Sequence, residues 1–137
     1  MSEQINLAKY EEFVKSVVSQ PSSDFGTMIE RMYALQHNPY GIPVPELLTS
    51  AVGLSSESGE FSEIVKKLFF HGKELNEEVI VHMQKELGDI CWYLVVASYA
   101  VGVNLDTIIR MNIEKLSARY PAGFEILRSE VRAAGDI

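Results

Sequence analysis

The chain has 137 residues, 47% hydrophobic and 23% charged, with a formal net charge of −7 and a pI near 4.9. That length suits one domain with a substantial core. The acidic balance argues against nonspecific nucleic-acid binding, which needs a basic surface, and no uninterrupted apolar stretch reaches the ~18 residues of a membrane span.

The first fifteen residues carry Glu3, Lys9, Glu11, Glu12 and Lys15 rather than an apolar core, so no signal peptide is expected and the predicted location is cytoplasmic. A first amphipathic helix is predicted over 6–19, with Leu7, Tyr10, Val14, Val17 and Val18 at helical spacing. Gln20-Pro21-Ser22-Ser23 ends it and offers caps for a second helix over 24–37, whose apolar face holds Phe25, Met28, Ile29, Met32 and Leu35. Three prolines within 38–45 force a loop, because proline lacks the N–H that a helix interior needs. A third helix follows over 45–70 and breaks at Gly72-Lys73. Asn76 caps a fourth, over 77–100, closed by Gly102; inside it the lone cysteine, Cys91, reads as a small core residue. Asn104 caps a fifth helix to about 118, with Leu105, Ile108, Ile109, Asn112, Ile113 and Leu116 on its predicted buried face. After the break at 120–123, a short segment carries Phe124, Leu127 and Val131. No alternating β-branched run bounded by hairpin turns occurs. The predicted fold is therefore all-α, a single domain over 1–137. Its helical bundle has a four-helix-type core built on a long antiparallel hairpin, 45–101, with a further helix at 104–120 and a C-terminal segment at 121–137.

Two acidic pairs interrupt the apolar faces of that hairpin. Glu57-x-x-Glu60 lies in line with Phe61, Ile64, Val65, Leu68 and Phe69, and Glu86-x-x-Asp89 in line with Ile90 and Tyr93. Carboxylates directed at a core are costly unless a cation meets them. In an antiparallel hairpin, facing positions have a constant sum of residue numbers. Glu57 with Asp89 and Glu60 with Glu86 both give 146, so both pairs meet at one level. Each pair spans about 4.5 Å along its axis, at roughly 1.5 Å per residue. Four hard oxygen donors converging in that volume suit Mg²⁺, Mn²⁺ or Ca²⁺. The competing reading is of solvated helix faces. Glu63 fits it, with Lys66 and Lys67 at i+3 and i+4, and Asp89 has Lys85 one turn before it. Glu57, Glu60 and Glu86 have no Lys or Arg three or four residues away.

Glu-x-x-Glu followed after 25 residues by Glu-x-x-Asp resembles the signature of the MazG-like all-α nucleoside triphosphate pyrophosphohydrolases. Gly53-Leu54-Ser55-Ser56-Glu57-Ser58-Gly59-Glu60 and Glu86-Leu87-Gly88-Asp89 are similar to the two acidic motifs. Asn112-Ile113-Glu114-Lys115-Leu116-Ser117-Ala118-Arg119-Tyr120-Pro121 resembles the family's downstream Asn-x-x-Lys-Leu-x-x-Arg-Tyr-Pro stretch, and the likeness covers roughly 45–124. It implies hydrolysis of a nucleoside triphosphate to the monophosphate and pyrophosphate, Mg²⁺ (with Mn²⁺ as a substitute) held by the four acids, and a homodimer or homotetramer. Ser56 stands where many relatives carry another acid, so the resemblance does not name the general base among the four.

Within that resemblance, Asn112, Lys115 and Arg119 along one side of the fifth helix suit triphosphate oxygens, Arg binding them bidentately. Tyr120 either caps the same end or packs on Pro121. Trp92, and the cluster Tyr33, Gln36, His37, Asn38 and Tyr40, are candidates for base recognition. His37, His71 and His82 lack zinc-ligand spacing, and no P-loop glycine motif occurs. A di-iron bundle would require Glu-x-x-His on two helices, which this chain lacks. The remaining alternative is a noncatalytic helical interaction module.

Overall fold

The computed structural model describes residues 5–130. Seven helices follow in order: α1 (Leu7–Val17), α2 (Gln20–Ser23), α3 (Phe25–Gln36), α4 (Val44–Phe70), α5 (Glu77–Ala100), α6 (Leu105–Arg119) and α7 (Ile126–Glu130). Among the described residues there is no strand, and an isolated bridge, Pro121–Gly123, is the sole β feature. The all-α fold expected from the sequence is the fold observed. The chain divides into two compact units, Met1–Val44 and Pro45–Ile137. The expected apolar residue Val131, and the side chain of Leu127, lie outside the described residues.

In the first unit, Asn6 caps α1 by accepting the Lys9 N–H at 3.1 Å. The 20–23 stretch does not simply end that helix, as expected, but forms the one-turn α2. Proline fits there because a first-turn residue needs no N–H partner. Asp24, not the serines, caps α3: its carboxylate accepts the backbone N–H of Thr27 at 2.8 Å and the hydroxyl at 2.7 Å. Those bonds to the charged form hold the Asp24 carboxyl below its ordinary value. The loop after α3 is organised by amides. Asn38 Oδ1 accepts the N–H groups of Tyr40 and Ile42, its Nδ2 donates to the carbonyls of Leu35 and Ile42, and Gln36 Oε1 accepts the Val44 N–H at 3.1 Å.

The second unit is built on α4 and α5. They run antiparallel, and the register is visible at Gly53, where a Cβ would collide with the ring of Tyr93. The numbers 53 and 93 again add to 146, the sum that aligns the acids. Only a glycine lets the aromatic ring lie against the α4 backbone at this position. The turn between the helices uses Gly72 at φ +67°, a conformation costly for a residue bearing a Cβ. Asn76 then caps α5 through the Val79 N–H at 3.0 Å, as expected. Ile64, Val79 and Ala100 are buried apolar residues of this unit. At the far end Asn104 caps α6, which leaves α5 at 93°.

Several residues expected in a core are not covered. Phe69 of the predicted α4 stripe is 77% exposed, Cys91 is exposed, and on the predicted buried face of α6, Ile109, Asn112, Ile113 and Leu116 are exposed. Trp92, Leu87 and Tyr99 are also uncovered on α5. Helical periodicity identifies residues that share a face, but not what lies against that face. The helix α5 is apolar on more sides than α4 and α6 can cover. Among the described residues no single helix is long and apolar enough to cross a membrane.

Candidate functional site

The register places Glu57 and Glu60 of α4 beside Glu86 of α5, with one oxygen from each lying within 4.8 Å of the others. Their environments differ. Glu86 is buried, Glu57 half-buried and Glu60 exposed. The expectation that all four acids face inward therefore holds fully only for Glu86. Asp89 is exposed and stands outside the trio, yet its charge still acts on Glu57.

Glu57 carries the electrostatic signature of the cluster. Desolvation, followed by the negative charges of Glu60, Asp89 and Glu86, pushes its carboxyl above the ordinary value. Both causes disfavour the ionised form, and a cation would reverse them. Among the described residues no lysine or arginine is ion-paired with Glu57, Glu60 or Asp89. The nitrogen that reaches the cluster belongs to an imidazole: His82 Nε2 lies 2.9 Å from Glu86 Oε1. The sequence reading does not include this residue, because it considers only Lys and Arg as partners of the acids and His82 only as a zinc ligand. The signal was the i, i+4 spacing of His82 and Glu86 on one helix. Glu63, by contrast, is ion-paired with both Lys66 and Lys67, as its spacing predicts, and those bonds hold its carboxyl below the ordinary value.

The donor set fits a hard divalent ion. Three carboxylates with one oxygen each within 4.8 Å of the others supply oxygen donors and excess negative charge, and the cluster contains no cysteine.

The other candidates are disposed as follows. Asn112 and Lys115 are exposed on α6; Arg119 and Tyr120 are half-buried at its C-terminal end, with the guanidinium 5.9 Å from the Tyr120 ring centroid. Tyr120 also packs on Phe124, centroids 5.4 Å apart. Trp92 is 58% exposed, edge-on to Tyr93 with ring centroids 4.7 Å apart. In the first unit, His37 stacks on Tyr33 and donates Nδ1–H to the Tyr33 carbonyl at 2.8 Å. Gln36 and Asn38 are engaged in shaping the loop.

Comparison with known proteins accords with this arrangement. Residues 46–124, spanning α4, α5, α6 and both acidic motifs, match the MazG nucleotide pyrophosphohydrolase domain. The chain belongs to the MazG family. The Gene 37 protein of Mycobacterium phage L5 is 34% identical to this MazG-domain chain over 74 residues, covering 53% of the chain and 64% of the phage protein. No solved structure matches the chain.

Proposed function

We propose that this MazG-domain protein hydrolyses a nucleoside or deoxynucleoside triphosphate to the monophosphate and pyrophosphate, using Mg²⁺ or Mn²⁺ held by Glu57, Glu60, Glu86 and Asp89. The observation that carries the reading is the trio of carboxylates gathered on the hairpin without a lysine or arginine, inside a stretch that matches the family. A bound divalent ion supplies charge neutralisation at the phosphates and lowers the pKa of water. The chain's own residues do the rest. Whichever of the four carboxylates keeps a free oxygen accepts the proton of the attacking water. Asn112, Lys115 and Arg119 donate hydrogen bonds to phosphate oxygens, Arg119 presenting its guanidinium from a half-buried position on the Tyr120 face. Trp92 is the aromatic candidate of this unit for stacking on the base.

A second copy of the chain, as homodimer or homotetramer, covers the apolar surface of α5 and α6. Its support is the uncovered set Leu87, Trp92, Tyr99, Met111 and Ile113, large apolar side chains left exposed on α5 and α6. The protein acts in the cytoplasm, among the free nucleotides.

A panel of canonical and modified triphosphates with Mg²⁺, scoring monophosphate, pyrophosphate and orthophosphate separately, tests the reaction. Pyrophosphate and monophosphate in equal amounts are expected. Orthophosphate release would mean attack at a different phosphorus and a wrong reaction class. Light scattering at several protein concentrations tests the assembly.

A further inference from the structure

We propose that His82 is a positioning residue for the metal centre: its Nε2–H holds one oxygen of Glu86, fixing that carboxylate for a divalent cation. The inference rests on the metal reading above and extends it to a residue outside both acidic motifs. An ionised carboxylate can only accept, so the hydrogen of the 2.9 Å bond sits on the imidazole Nε2. Glu86 is the least exposed acid of the trio, with its side chain 9% exposed against 53% for His82. The histidine is thus the link between a buried ligand and solvent. It stands one helical turn from Glu86 toward the Gly72 turn, and by the register of the hairpin it lies level with buried Ile64. From that position it holds Glu86 from the solvent side.

A carboxylate has two oxygens, so a bond to one restricts rotation about the last side-chain torsion while leaving the other for an ion. Partners that orient a ligand in this way typically contribute about 10–100-fold to metal affinity. His82 is not itself a ligand in this proposal, because Mg²⁺ and its substitutes favour oxygen.

The test is Mn²⁺ binding to the full chain, followed by calorimetry and by loss of the free-ion resonance. It compares wild type, His82→Leu and His82→Gln, with melting curves of the metal-free proteins alongside. Glutamine can place an amide N–H near the position of Nε2. His82→Leu should weaken Mn²⁺ binding about 10–100-fold with little change in metal-free melting, and His82→Gln should recover most of the loss. In the hydrolysis assay, the Mg²⁺ concentration for half-maximal rate should rise in His82→Leu while kcat at saturating Mg²⁺ stays near wild type. In a Glu86→Gln background, His82→Leu should cost little further affinity. Wild-type affinity in His82→Leu, or a His82→Gln variant no better than His82→Leu, would overturn the role. A wild type that binds no Mn²⁺ would remove the metal centre itself, and this inference with it.

Discussion

Two stretches of the same helix treat their acids in opposite ways. At 57–60, Glu57 is desolvated beside three other carboxylates and its carboxyl is pushed up; one turn beyond Glu60, Glu63 bonds two lysines and is pulled down. Helix, chemistry and side-chain length are alike, so the difference lies in what each residue faces. Glu63 brings its own cations. The Glu57 end gathers acids from two helices and pairs one of them with a histidine, an arrangement that improves when a cation from solution enters. Acidic content alone does not distinguish the two stretches; the neighbours of each acid do.

The largest expected effect in breaking this contrast is on turnover. Glu60→Ala or Asp89→Ala should lower pyrophosphate release by about a thousandfold or more, the rate equivalent of the several kcal/mol a catalytic ion contributes, while Glu63→Gln should stay near wild type in the same assay. Equal losses in all three would erase the distinction. Next comes metal linkage. Mg²⁺ at a hundred times its Kd should stabilise wild type by about 2.7 kcal/mol, seen as a higher melting temperature. A variant with all four acids changed to amides should show no such rise.

Packing gives a third handle. Gly53→Ala forces Tyr93 away from α4 and should cost about 1–3 kcal/mol in denaturant unfolding. It should also weaken Mn²⁺ binding, whereas the Glu63 ion pairs, ten residues along the helix, should be unaffected.

The smallest effect is the pH dependence of the metal-free protein in chelator. The folded value of Glu57 is raised, so its favourable contribution is complete below the ordinary carboxylate value and is lost as pH rises through the folded value. Glu63 has the opposite sign: its contribution is present above the ordinary value and is lost as pH falls through the lowered folded value. Melting curves across the acidic range should therefore lose opposite components of slope in Glu57→Gln and Glu63→Gln. Matching slopes in the two variants would refute the assigned neighbourhoods.

Much of the second unit was legible because a hairpin turns sequence into arithmetic. The breaker at Gly72, the cap at Asn76 and the constant sum of 146 place Glu60 level with Glu86, and Gly53 against Tyr93 is a further pairing at the same sum. Exposure was less legible. Cys91, Phe69 and Asn112 occupy positions where periodicity predicts burial, yet all three are exposed. Asp89 shares a face with Glu86 yet remains exposed, since an i, i+3 pair straddles a stripe and one member can sit at its edge. In the first unit, Pro21 is expected at a helix end but lies in the first turn of α2.

The ring of Tyr93 seated on the bare backbone at Gly53 acts as a mechanical stop between the two long helices. A slide of one helical turn, about 5.4 Å, would lift the ring from its notch and separate the oxygens gathered from Glu57, Glu60 and Glu86. Alignment of the acids is thus set by aromatic packing about one turn away. The scaffold can thus hold its acids together against their mutual repulsion.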